Sequence, residues 1–202
     1  MKSGAGTRPY VMTKRAAASE ETRLRILDAM GELFLERPLS QITLGDVAER
    51  AGVTVQTVLR RFGDKDGLNA AAAAHGFQTV ASARDSAPVG DLVGILENLA
   101  EHYEASSRLA LKMLAEEHDS PVMEEITGRG RAYHRQWCER VFAPSLEGLA
   151  GAERARRLAQ LVAVCDVYTW KLLRLDSGLS RPQYILALTE LLEPLLDRGA
   201  TP

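Results

Sequence analysis

The sequence predicts an all-α protein, with an N-terminal three-helix unit and a longer helical body behind it. Three observations carry that expectation. Aromatic residues make up only 5% of the 202 residues while alanine and leucine abound, and no long stretch alternates apolar with polar residues as a strand would. Ile42 to Phe62, ITLGDVAERAGVTVQTVLRRF, writes two short helices around Gly52, each with its own start signal. Towards the C-terminus, apolar residues recur in alternating steps of three and four, as on one face of a helix.

Residues 1–18 are small and polar, with Lys2, Arg8, Lys14 and Arg15 and no acid, and read as a flexible basic arm. Ser19 offers a helix cap, with Glu20 and Glu21 in the first turn where acids complement the helix dipole. Leu24, Leu27, Met30, Leu33 and Phe34 then form one apolar stripe that ends before Pro38. Thr43 with Asp46 makes a capping box, and Ile42 with Val47 a hydrophobic staple, for a helix from about Leu44 to Ala51. Gly52 supplies the left-handed residue that ends it. Thr54 caps the next helix, Val55 to Phe62, with Val53 and Val58 as its staple, and Asp64 opens a fourth.

At 100° per residue Val58 and Phe62 face inward, Gln56, Thr57 and Arg60 face outward, and Val55 and Leu59 lie at the margin. Outward residues at the start of the second helix of such a motif meet base edges in the major groove. Glutamine pairs with adenine through two hydrogen bonds, arginine pairs with guanine or a phosphate, and the methyls of Val55 or Thr57 suit a thymine methyl. Arg61 and Lys65 are placed as phosphate clamps. The DNA-binding set is therefore Thr43, Thr54, Val55, Gln56, Thr57, Leu59, Arg60, Arg61 and Lys65.

TRLRILDAMGELF followed by ITLGDVAERAGVTVQTVLRRFGDKDGL resembles the DNA-binding domain of the tetracycline-repressor (TetR) family of transcriptional regulators, over Thr22 to Leu68. The resemblance implies a homodimeric repressor of a palindromic double-stranded DNA operator, whose helical C-terminal domain binds a small-molecule effector that releases the DNA. It implies phosphate contacts from Thr43 and Lys65 and base contacts from Val55, Gln56, Thr57 and Arg60. Two positions depart from the family pattern: Leu59 stands where a tyrosine is common, and Gly45 where relatives often carry a long polar side chain. The domains expected are an arm at 1–18, a helix-turn-helix DNA-binding domain at 19–68, and a helical ligand-binding and dimerisation domain at 69–202. A linking helix over about 65–84 joins the last two.

In the body, Ser86-Ala87-Pro88 breaks the chain, and helices are expected over Val89 to Ser106, Arg108 to Glu117, Pro121 to Phe142, Ala152 to Asp176 and Arg181 to Asp197. Pro194 is expected to kink or end the last one early. Leu158, Leu161, Cys165, Tyr168, Leu172 and Leu175 form a seam on the penultimate helix, and Ile185, Leu188, Leu192 and Leu195 another on the final one. Such a hairpin suits a four-helix interface between two copies, and the family resemblance puts the dimer contact there.

Side chains with an apolar body and a polar handle in the central helices are the candidates to line a ligand site: Phe77, His102, Tyr103, Met113, Tyr133, His134, Trp137, Tyr168 and Trp170. They suit a largely apolar or aromatic effector. His134 and Cys138 stand four residues apart, too few ligands for a metal centre, so neither metal nor cofactor is expected. No phosphate loop, nucleophile elbow or paired acid points to an enzyme. Residues 1–84 hold 12 basic and 9 acidic residues, net +3, and the rest 13 and 18, net −5, which suits a chain offering its front to a polyanion. Without a membrane-spanning run or signal peptide, and with two unpaired-looking cysteines, a cytoplasmic, nucleoid-associated protein is expected. The competing expectation is a DNA-binding regulator without an effector, whose C-terminal domain serves dimerisation or a protein partner.

Overall fold

The computed structural model describes the backbone of residues 8–119 and 121–197, with side chains from Arg15 onward. Among the described residues all regular structure is helical. The elements are α1 (Arg8–Glu36), a 3-10 turn (Leu39–Gln41), α2 (Leu44–Arg50), α3 (Val55–Phe62), α4 (Lys65–Asp85) and α5 (Leu92–Ala115), then a 3-10 turn (Glu117–Asp119). They continue with α6 (Pro121–Val141), α7 (Ala143–Leu146), α8 (Gly151–Val164), α9 (Val167–Trp170) running into a π-helical segment (Lys171–Asp176), and α10 (Arg181–Leu196). The chain forms two compact units, residues 1–76 and 77–202.

In the first unit α1 buries Ile26, Leu27, Ala29, Met30, Leu33 and Phe34, and Ile42, Val47, Ala48, Val58 and Leu68 complete the core. Three ion pairs tie α2 to α1 and the residue that follows it. Arg50 reaches Glu36 at 2.9 Å and Glu32 at 3.2 Å, and Arg37 reaches Asp46 at 3.1 Å. The expected arm is corrected in part: α1 already begins at Arg8, so residues 8–18 are helical and Ser19 sits inside a helix instead of capping it. Ala16, Ala17 and Ala18 are strong helix formers that let the helix run back past Ser19. Residues 1–7 of the arm lie outside the described residues.

The second unit is built on one apolar core. Leu96, Leu99 and Tyr103 of α5, Trp137, Cys138 and Val141 of α6, Leu158 and Leu161 of α8, and Tyr184, Leu188 and Leu192 of α10 all enter it. The turn after α4 is stitched by Asn98, whose amide donates to Ala83 O (2.9 Å) and Ser86 Oγ (3.2 Å), and by Arg140, which donates to Arg84 O and Ala87 O (both 3.2 Å).

Three boundaries differ from expectation. α5 passes unbroken through Ser106-Ser107, because the Ser106 hydroxyl bonds the His102 carbonyl one turn back (2.7 Å) and leaves the helix intact. The long penultimate helix is interrupted at Cys165-Asp166. There the Tyr103 hydroxyl takes Cys165 O (2.9 Å), Thr169 Oγ1 takes Ala163 O (2.7 Å), and Asp166 caps α9 through Tyr168 N (2.9 Å). α10 continues past Pro194 to Leu196, since the proline falls in the last turn and Arg157 supplies a donor to Leu195 O.

Candidate nucleic-acid interface and a buried polar centre

The helix-turn-helix is built by its caps. Thr43 Oγ1 accepts from Asp46 N (3.2 Å) while Asp46 Oδ2 accepts from Thr43 N (2.8 Å), a reciprocal capping box. The Thr43 side-chain bond, first among several, holds the Asp46 carboxyl below the usual carboxylate range. Gly52 turns the chain at φ +65°, and Thr54 Oγ1 then accepts from Thr57 N (3.2 Å) to start α3. The exit of α3 is as tightly built. Asp64 Oδ1 accepts from Gly67 N (2.8 Å), and a Cβ at Gly67 would lie 2.0 Å from Phe62 O, so only glycine fits there.

Val58 is fully buried beneath α3, while Val55 is 41% exposed and Gln56 and Arg60 are exposed. Thr57 and Leu59 are half-buried, and the Thr57 hydroxyl is bonded to that of Thr54 at 3.0 Å. The Gln56 and Arg60 side chains make no hydrogen bond to the described residues of their own chain. The two expected clamps differ from this. Arg61 Nη1 bonds Ser19 Oγ at 3.1 Å, tying α3 to α1. Lys65 Nζ donates to Leu39 O (3.2 Å) and Ser40 O (3.4 Å), which leaves one of its three hydrogens for another acceptor.

In the second unit the expected ligand-lining residues divide three ways. Tyr103, His134, Trp137 and Trp170 are buried, Phe77, His102, Met113 and Tyr133 are half-buried, and Tyr168 is 53% exposed, which corrects its place in a pocket. Asp166 caps α9 just before Tyr168, so that ring is turned outward. Trp170 stands edge-on to Tyr184 at 4.7 Å and tilted on Tyr103 at 5.7 Å; the fully buried Tyr184 escaped the sequence reading because it opens α10 like any core residue.

A second group gathers around Arg84, which sequence reasoning also missed. An arginine in the last turn of a helix reads as a dipole partner, yet this one is 3% exposed. Its guanidinium lies 4.0 Å from the Trp137 ring and 5.9 Å from the Tyr133 ring, and its Nη2 is 3.2 Å from His134 Nδ1. Because Arg84 can only donate, Nδ1 accepts and Nε2 carries the proton, which it donates to Val162 O (3.1 Å). Burial first, then the Arg84 charge, push His102 down to about 3, so it is neutral at ordinary pH. Trp137 Nε1 donates to Arg84 O (3.0 Å), and the Tyr133 hydroxyl reaches Asp85 Oδ1 (3.0 Å) and Ala81 O (3.2 Å). Cys138 and Cys165 are free, buried thiols in hydrogen-bonding contact, and that contact together with burial raises Cys165. Among the described residues no three His, Cys, Asp or Glu side chains group as a metal site.

The expected dimer seam divides likewise. Leu158, Leu161, Cys165, Leu188 and Leu192 are buried in their own domain and Ile185 and Leu195 partly so, which removes the first five from any outer contact. Tyr168, Leu172 (59%) and Leu175 (57%) are exposed, together with Leu186 (58%), which the spacing rule had passed over. The break at Cys165-Asp166 and the π-helical segment after it separate the two sets, since both change the rotation per residue.

These caps and the turn between them define a helix-turn-helix in an all-helical fold. Residues 26–72 match the family model "Bacterial regulatory proteins, tetR family", so that N-terminal segment is similar to the DNA-binding part of TetR regulators. It is 43% identical over 60 residues to the HTH-type transcriptional regulator AlkX of Mycobacterium tuberculosis, a match covering 30% of this chain and 26% of that protein. The chain thus aligns with about a quarter of the length of that curated relative. Its fold is similar to a solved transcriptional regulator from Rhodococcus (TM-score 0.64, 22% identity, 86% of this chain and 95% of the other). It is also similar to NalD of Pseudomonas aeruginosa, the secondary repressor of the MexAB-OprM multidrug efflux pump (TM-score 0.55, 22% identity, 88% and 96%).

Proposed function

We propose that this regulator is a homodimeric repressor that holds a palindromic operator through α3 and releases it when a small molecule enters the C-terminal domain. The observation that carries the reading is the outward face of α3. Val55, Gln56 and Arg60 stand exposed at a helix fixed by caps at its entry and by Gly67 at its exit. Two such helices about 34 to 36 Å apart meet successive major grooves. Thr43 and the free hydrogen of Lys65 supply phosphate contacts; Arg61 serves instead to hold α3 on α1.

The dimer contact falls to Tyr168, Leu172, Leu175 and Leu186, an exposed apolar group on consecutive helices of the second unit. The effector site falls to the half-buried residues beside the aromatic groups, Phe77, His102, Met113 and Tyr133. An efflux-pump repressor among the proteins of similar fold is consistent with a role as repressor. The test is selection of a duplex from a random pool by the full chain, followed by footprinting. A two-fold symmetric site protected by a dimer supports the reading, and protection by a monomer without sequence preference overturns it. A screen for operator release then decides between an effector-controlled and an effector-free regulator.

A further inference from the structure

We propose that Arg84 anchors an anion, and that the small molecule taken by the C-terminal domain carries a carboxylate on an apolar body. This rests on the effector-controlled reading above and adds the chemical class of the effector. Five other arginines in this unit pair with acids: Arg131 with Glu117, Arg140 with Asp85 at 3.7 Å, Arg154 with Glu139 at 2.5 Å, Arg174 with Glu104 at 3.5 Å and Arg181 with Glu97 at 2.6 Å. All of them are more exposed than Arg84. Arg84 is the buried one, and among the described residues no carboxylate lies within 4.0 Å of its guanidinium. Solvation alone dictates the reverse order, because a buried charge needs a partner far more than an exposed one does.

The surroundings leave that charge uncompensated. Among the described residues the guanidinium's one polar contact is to His134 Nδ1, which accepts, and Arg84 Nε is buried without a partner. His102, the other histidine nearby, is neutral. Asp85, next in sequence, and Asp166, beside His134, are turned to other groups. Asp85 accepts from Tyr133 (3.0 Å) and faces Arg140 at 3.7 Å, and Asp166 caps α9 with its Oδ2 at 4.0 Å from His134 Nε2. The site therefore presents a single positive charge and an unused N–H that match a monoanionic carboxylate. A dianion would leave one charge unmatched. The body attached to that carboxylate meets rings. Trp137 lies under the guanidinium, Tyr133 beside it, and Phe77 stands edge-on to Tyr133 at 5.3 Å, the last two half-buried and so reachable from the surface.

The experiment titrates the full chain with phenylacetate and octanoate, and with phenylacetamide and octanamide as neutral twins at constant ionic strength. Thermal shift and calorimetry are read on wild type and on Arg84→Met. A carboxylate that raises the melting temperature and binds roughly 10- to 100-fold tighter than its amide, with the difference gone in Arg84→Met, is the expected result. Amides as good as acids, no carboxylate binding to wild type, or a folded Arg84→Met that keeps the preference would each overturn it. If Arg84→Met does not fold, the acid–amide comparison on wild type decides alone. The same titrations on a complex with operator duplex separate the two proposals. Carboxylate binding without DNA release leaves the anion site standing and removes the effector role, whereas release by the amides alone does the opposite.

Discussion

Arg60 and Lys65 are both cations near the outer surface of the helix-turn-helix, but their side chains are held differently. Arg60 projects without a side-chain partner among the described residues, so truncation costs the fold little and, on the proposed docking, removes a base or phosphate contact outright. Arg60→Ala is expected to relax sequence preference by about 1–3 kcal/mol, measured as the ratio of affinities for operator and scrambled duplex. Lys65 spends two hydrogens on the carbonyls of Leu39 and Ser40, so Lys65→Ala should weaken binding to all sequences alike and lower the salt slope by about one. An unchanged slope would mean that the lysine serves only the turn. Gly67→Ala makes a different case. Its Cβ would meet Phe62 O at 2.0 Å, so backbone must move, and a loss of about 1–3 kcal/mol in urea unfolding is expected, with operator binding falling in step.

Among the elements, α5 carries the clearest pH dependence. His102 is neutral in the folded domain down to about 3, against an ordinary value of 6.5. Between those values the unfolded chain binds a proton that the folded one refuses, so stability falls as pH drops through that window. His102→Gln should flatten the fall between pH 7 and 4.5 by on the order of 2 kcal/mol, read from urea midpoints at each pH. Equal slopes in both proteins would place the histidine in solvent. The same helix shows what a sequence does and does not display. The capped helices from Thr43 to Phe62 were legible because every partner lies within three or four residues, as Thr43 with Asp46 and Thr54 with Thr57 do. The break at Cys165 was not, because the hydroxyl that stabilises it comes from Tyr103, 62 positions away. Arg84 was hidden for the same reason: what makes it unusual is burial against His134 and Trp137, some fifty residues downstream. The periodic seam near the C-terminus marked apolar faces correctly but could not say which of them the domain itself covers.

At the scale of the whole molecule, the proposed reading makes operator recognition depend on a dimer. One α3 reads a half-site only, and an isolated half-site contact is weak. Leu172→Glu combined with Leu175→Glu puts two charges on the exposed apolar group without touching the core. Sedimentation should then show a monomer with unchanged helical circular dichroism, and operator affinity should fall at least about tenfold. A double variant that remains dimeric would move the interface elsewhere.

The recognition helix is held entirely from below and from its ends. Val58 anchors its inner side, Thr54 its entry, and the glycine contact its exit, while Gln56 and Arg60 contribute nothing to its position. Exchanges at those two outward positions lie away from core, cap and turn, where substitutions shift stability by no more than about 0.5 kcal/mol. The part of the molecule that names the target is thus an interchangeable cartridge. On the proposed reading, a duplicated copy of this chain takes up a new operator in a few substitutions while its scaffold and the proposed effector site stay unaltered.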